Sequence, residues 1–289
     1  MATRTDDRTK GGAKGGAARR RPAGTAQATT RRSIYDYSND RLLPMELGQV
    51  ASGFRVRRGF SLVYDGEHGL PAAVAHRAVA TVNTWLVQHA AARFQLARSG
   101  KWESSLDVHG KKAVGNFIGR AFCDNVQDIT WPSPDGLRNT PIDSGCPDLI
   151  PARYSGGDHE WTQFRKGGIE VKATCGALRP GPKPGYGESR VSRLAGVTWS
   201  AHHPFSRRVL GLVWDYIAGV PQVVGAFYAG GLRAEDFGDC KPDLSKRSGN
   251  STNAAAIKSS GRAKFQWVCA YDNDEYVECF RRVLPACGL

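Results

Sequence analysis

Two acids and one lysine stand out between Gly145 and Thr174. Asp148 follows Pro147 and precedes Leu149 and Ile150, which puts a carboxylate at the mouth of an apolar strand. Farther on, Ile169-Glu170-Val171-Lys172 alternates apolar and polar with the period of two that marks a strand, and Ala173 closes the run. Such a strand turns Ile169 and Val171 toward a core and projects Glu170 and Lys172 together from the other face. Two carboxylates converging on one point make a hard oxygen site suited to Mg²⁺, which takes carboxylates, waters and substrate phosphates. A metal there lowers the pKa of a bound water and polarises a phosphoryl oxygen, and a nearby ammonium orients that water or meets developing charge. The residue types point to metal-assisted phosphodiester hydrolysis. The competing reading is a surface strand whose Glu170–Lys172 pair is solvated and of little energetic weight.

At these residues the chain resembles the PD-(D/E)XK nuclease superfamily, and within it the type II restriction endonucleases. Pro147-Asp148 matches the first half of that motif and Glu170-Val171-Lys172 the second. The resemblance implies that Asp148 and Glu170 hold Mg²⁺ with the carbonyl of Val171 as a further ligand, and that Lys172 assists the attacking water. It also implies double-stranded DNA as substrate, and a homodimer on a palindromic site. It covers residues 104–235 well enough to place elements. Many such nucleases carry a further glutamate on the helix before the Pro-Asp strand. Here the corresponding stretch, Lys111 to Arg120, has Asn116 and Gly119 where an acid is expected. That departure leaves Glu103, Asp107 or Asp124 as substitutes for a second-metal ligand.

The elements that must position these groups are legible in part. Pro71 to about Ser99 reads as a helix with Val74, Ala78, Val82, Trp85 and Leu86 on one side, and a second helix runs from about Gly110 to Asp124. Its stripe of Val114, Phe117, Ile118, Ala121 and Phe122 is a core face. His76 and His89 on the first helix read as surface or packing histidines. Val209–Ile217 and Val220–Tyr228, parted by Ala-Gly, read as two buried strands, with Asp215 a paired core acid or a site-lining group. Asp215 and Pro221 interrupt this stretch too much for a membrane span. Thr252–Ile257 suggests one or two helical turns, Phe265–Tyr271 a last strand, and Asp272–Val283 a helix with Tyr276, Val277, Phe280 and Val283 on one side. Residues 34–70 read as irregular. The expected fold is α/β: a restriction-endonuclease-like core with a mixed central sheet of about five strands flanked by helices, in one domain of residues 34–289 with DNA-recognition insertions.

Charge narrows the partner. The chain of 289 residues carries a formal +13, which points to a polyanion. Residues 1–33 hold nine basic and two acidic residues without apolar periodicity, and are expected to be a disordered arm. That arm is either a non-specific tether to phosphates or a solubilising extension. The Pro/Gly-rich loop from Arg179 to Arg193 offers Lys183, Arg190 and Arg193 as DNA contacts, or is only a polar loop. Arg55, Arg57 and Arg58 face the same two readings. Asp158, His159 and Glu160 sit at a turn tip where adjacent side chains point apart, so a solvated tip is preferred over a metal cluster. Seven cysteines without a C-x-x-C pair, and no signal peptide, favour reduced thiols in a cytoplasm (bacterial, or phage-encoded) over disulfides or structural zinc. Against the nuclease stand a repair, recombination or phage nuclease with the same core, and a basic DNA-binding protein without catalysis.

Overall fold

The computed structural model describes residues 35–36, 41–42, 53–97, 110–130, 135–140, 147–153, 167–185, 187–202, 206–239 and 254–289. The expected arm of residues 1–33, the turn tip at Asp158–Glu160, and Glu103 and Asp107 lie outside them. In chain order the strands begin with β1 (Tyr35–Asp36), β2 (Arg41–Leu42), β3 (Phe54–Val56), β4 (Ser61–Val63) and β5 (Gly69–Pro71). Helices α1 (Ala72–Ala97) and α2 (Lys111–Thr130) follow, then β6 (Leu137–Asn139), β7 (Leu149–Pro151) and β8 (Glu170–Thr174). Next come β9 (Ala177–Leu178), β10 (Leu194–Gly196), β11 (Ser200–His202), β12 (Val209–Ile217), β13 (Val220–Ala229) and β14 (Ala254–Ala256). The chain ends with α3 (Ser259–Arg262), β15 (Gln266–Tyr271) and α4 (Asp274–Val283).

Five strands form the central sheet in the order β3-β15-β13-β12-β8. Only β8 and β12 run parallel, so the sheet is mixed. The two long strands β12 and β13 form a hairpin through Ala218 and Gly219, both at positive φ (52° and 81°), as a two-residue turn matched to strand twist requires. Pro221 is accommodated near the start of β13, where it disturbs the ladder least. Alternation along β12 divides the core. Leu210, Leu212 and Trp214 join α1, α2 and Val171 on one face, and Val209 and Val213 join Phe227, Phe265 and α4 on the other. Asn83 of α1 crosses to β13, donating to the Val223 carbonyl (2.9 Å) and accepting its N–H (2.7 Å) beside the bulge in the ladder.

The helices keep most of their expected faces. His76 is buried against Phe54, and burial pushes it down to about 4, so it packs as a neutral ring. Helix α2 runs on to Thr130 because Val126 and Ile129 extend the stripe. Phe117 departs from the expectation of a core face: it is exposed and stacks on the exposed Trp85 at 4.7 Å. Residues 54–71, expected to be irregular, carry the three short strands β3, β4 and β5. Within Thr252–Ile257, expected to form one or two helical turns, Ala254–Ala256 instead pairs antiparallel with β11, an override of propensity by tertiary pairing. Asp215 proves to be a paired core acid: its carboxylate accepts from Ser189 Oγ (2.9 Å), Arg190 N (2.8 Å) and Tyr276 Oη (2.9 Å). The five described cysteines, Cys123, Cys175, Cys269, Cys279 and Cys287, are free thiols. Among the described residues no helix is long and apolar enough to cross a membrane.

The β4–β5 hairpin clamps the entry to β8. Tyr64 O accepts the Gly168 N–H (2.6 Å), while Asp65 receives Arg153 from the end of β7 (2.6 Å). Gly168 has φ of +127°, and a Cβ there would lie 2.3 Å from Pro147 Cγ and 2.5 Å from the Leu149 carbonyl. Only glycine fits. Gly168→Ala is therefore expected to cost about 3 kcal/mol or more through backbone strain and overpacking, seen as a lowered Tm; a wild-type Tm would show that the clamp yields.

Candidate active site

Strand β8 carries Glu170 and Lys172, and Asp148 immediately precedes β7. β8 is the edge strand of the central sheet, and its outer side meets the Asp148–Ile150 segment through an antiparallel bridge between Leu149 and Ile169. That bridge brings Asp148 within reach of Val171, whose N–H donates to Asp148 Oδ2 at 2.8 Å. Ile169 and Val171 are buried in the core, as the alternation requires. Glu170 and Lys172 share the opposite face: Lys172 Nζ lies 2.7 Å from Glu170 Oε1 and 3.4 Å from Asp148 Oδ2. The expected triad is assembled, with one ammonium between two carboxylates.

The surroundings are not those of a solvated surface pair. Glu170 has no exposed surface, Lys172 keeps 27% of its side-chain surface, and Asp148 keeps 33%. Burial, and then the charge of Glu170, push Asp148 up to about 6, although Lys172 and the Val171 N–H oppose the shift. On the neighbouring strand, Gly211 lies level with Lys172, and Trp199 occupies the space a Cβ there would need, at 2.3 Å.

A cleft of about 300 Å³ opens beside the triad. Asp148, Val171 and Lys172 line it from the sheet side, and Asn116, Gly119, Arg120 and Cys123 line it from α2. Glu170 is not among its walls; it lies behind Lys172. Cys123 is no candidate nucleophile, because burial and the nearby Asp148 charge hold its thiol well above its usual pKa. Asn139 and Thr140 complete the wall. Their side-chain oxygens, Asn139 Oδ1 and Thr140 Oγ1, are buried without a hydrogen-bond partner among the described residues. The only prior signal for them was proximity to the Pro-Asp pair.

Helix α2 does present Asn116 and Gly119 to the cleft, so the departure from an acid there falls at the site itself. Asp124 does not replace it: it is exposed, pairs with Arg120 at 3.2 Å and accepts from Asn139 Nδ2. Among the described residues no group of three or more His, Cys, Asp or Glu converges. Two carboxylates with buried neutral oxygens nearby nevertheless fit Mg²⁺, which is commonly bound by one or two carboxylates with waters and substrate phosphates.

The proposed DNA contacts separate. Lys183 is exposed on its loop. Arg193 donates to the Arg179 carbonyl at 2.8 Å, bracing the loop from within. Arg190, expected as a DNA contact, is instead 8% exposed: its backbone is held by Asp215 and its guanidinium lies toward the Gly176 carbonyl. Arg55 pairs with Asp272 at 2.5 Å. No family model, no curated protein and no solved structure matches this chain.

A carboxyl whose pKa is raised by folding stabilises most when protonated. Asp148 thus contributes stability below its usual 3.8, lost as pH rises through about 6. Asp148→Asn removes that cost while keeping an acceptor for the Val171 N–H. In EDTA its Tm should match wild type near pH 4 and exceed it by roughly 2–4 °C or more at pH 7. A difference independent of pH would mean that Asp148 is not strained by its neighbours.

Proposed function

We propose that the chain is a Mg²⁺-dependent endodeoxyribonuclease with a PD-(D/E)XK site on a restriction-endonuclease-like core, cutting double-stranded DNA at a short sequence in the manner of type II restriction enzymes. The observation that carries this reading is the convergence of Asp148, Glu170 and Lys172 at the edge of the sheet beside an open cleft. Two carboxylates and an ammonium so close are costly to bury, and sites of chemistry are where such costs are met. The charge of +13 suits a polyanionic substrate. Residence in a bacterial or phage-infected cytoplasm and a homodimer acting on a palindrome belong to the same proposal.

Magnesium, when bound, would supply Lewis acidity toward the scissile phosphate and an acidified water. Asp148, with an oxygen open to the cleft, would hold it, joined by Glu170 and the Val171 carbonyl. The protein's part is positional. The Val171 N–H fixes the Asp148 carboxylate, and the β8–β12 ladder fixes Glu170, whose N–H donates to the Arg208 carbonyl at 3.0 Å. Lys172, released from between the acids when a cation takes that place, would turn its ammonium to the attacking water or to charge on the phosphate. Asn116 and Gly119 in place of an acid favour a single metal.

Incubation with plasmid and Mg²⁺ tests the reading. Discrete bands indicate sequence-specific cutting, a smear a repair or other non-specific nuclease, and a mobility shift alone a DNA-binding protein. Asp148→Ala and Glu170→Ala should abolish cleavage while leaving DNA binding nearly intact, and Ca²⁺ should permit binding without turnover. Lys172→Ala should lose about 10²–10⁴ in single-turnover rate. Lys172→Arg should also be slow, because a planar guanidinium misfits a place built for a compact ammonium. Wild-type cleavage by Lys172→Arg would reduce Lys172 to a charge and end its assigned role.

A further inference from the structure

A second cleft, of about 360 Å³, opens where β12 begins and β13 ends. Arg208, Lys264, Gln266 and Gly231 line it beside the aromatic rings of Phe60 and Tyr228, and no acid is among its walls. The two cations differ. Lys264 is committed, 2.5 Å from Asp236 Oδ2. Arg208 is half-buried, and its guanidinium makes no hydrogen bond or ion pair with any described residue. A partly desolvated cation without a partner is costly, and buried polar groups are ordinarily satisfied.

The walls are built to hold this space open. Arg57 stacks over Phe60 at 4.3 Å and donates to Gln266 Oε1 at 2.7 Å, so one guanidinium fixes two of the lining side chains. The Tyr228 hydroxyl is held by the Val63 carbonyl. Gly231 has φ of +72° with nothing within 4 Å of where a Cβ would be, so the backbone there can be approached closely.

We propose that this cleft is an anion subsite that takes a phosphate of the nucleic-acid strand, with Arg208 as its principal contact. A planar guanidinium matches phosphate in a bidentate pair, and the apolar rings exclude water around it. The subsite is joined to the catalytic strand, because the Arg208 carbonyl accepts the Glu170 N–H at 3.0 Å. The inference rests on the nucleic-acid reading above, but not on catalysis.

The test uses the full chain and a labelled duplex in EDTA, with affinity measured by fluorescence anisotropy over a series of KCl concentrations. Arg208→Gln should bind about tenfold more weakly, with the slope of log K against log[KCl] smaller by about one phosphate contact. Arg208→Lys should keep the slope. An independent pair leaves Arg208 untouched: Gly231→Asp, which places a carboxylate in the cleft, should weaken binding, and Gly231→Asn should not. Both residues tolerate a left-handed backbone. Wild-type affinity and slope in Arg208→Gln and Gly231→Asp would overturn the proposal. A Tm raised by inorganic phosphate in wild type but not in Arg208→Gln, with duplex binding unaffected, would give the cleft to a small phosphorylated ligand and overturn the nucleic-acid assignment. Binding that depends on Arg208, in a wild-type protein that never cuts with Mg²⁺, would keep the subsite and overturn the nuclease.

Discussion

Glu170 is wholly enclosed, and an enclosed carboxylate is tolerated only if a cation meets it. Lys172 is that cation, and it reaches Glu170 because both project from the same face of β8. Everything that fixes β8 therefore fixes the electrostatics of the site: the ladder to β12, the bridge from Ile169 to Leu149, and the Trp199 ring seated on Gly211. Asp148 is drawn into the same balance from the other side. Its carboxyl is pushed up by burial and by Glu170, and Lys172 and the Val171 N–H only partly offset this. The triad is held in place by the fold at the fold's expense.

The same constraint explains why the β4–β5 hairpin is tied so firmly to residues far away in the chain. Asp65 holds Arg153 and also accepts from the N–H groups of Glu67 and His68. His68 itself spans from Asp65 to Asp135 (3.1 Å to each). These bonds hold Asp65 down at about 2 in spite of its burial, so it stays ionised while Asp148 does not do so readily. One acid is used to brace β7 and the approach to β8. The other is left poised.

Much of this could be read along the chain where the signal is local. The alternation from Ile169 to Lys172 placed Glu170 and Lys172 on one face, and the stripes of α1, α2 and α4 announced their core sides. The two apolar runs parted by Ala218-Gly219 announced two buried strands. What escaped depends on partners remote in sequence. Nothing near Arg190 announces that Asp215 will capture its backbone and bury it, and nothing near Ala254 announces β11. Strands β3 to β5 are too short to show a period, and Thr140 matters only because the fold lays it beside Asp148. Asn116 and Gly119 were legible as an absence, and they stand in the cleft wall.

The parallel pairing of β8 with β12 carries a consequence of another kind. Parallel neighbours cannot be joined by a tight turn, so the chain between Thr174 and Val209 must make a long excursion before it returns. Here the excursion carries β9, β10, β11, the exposed Lys183 and the Trp199 ring, and it is pinned back where Asp215 gathers Ser189 and Arg190, where Trp199 donates to the Leu212 carbonyl, and where β11 pairs with β14. The connection is thus anchored at its base and open at its tip: Val191, Leu194, Val197 and Trp199 are committed to the core, while the Pro/Gly-rich stretch around Lys183 is exposed and carries none of that packing. A protein built this way can change what it touches without renegotiating how it works.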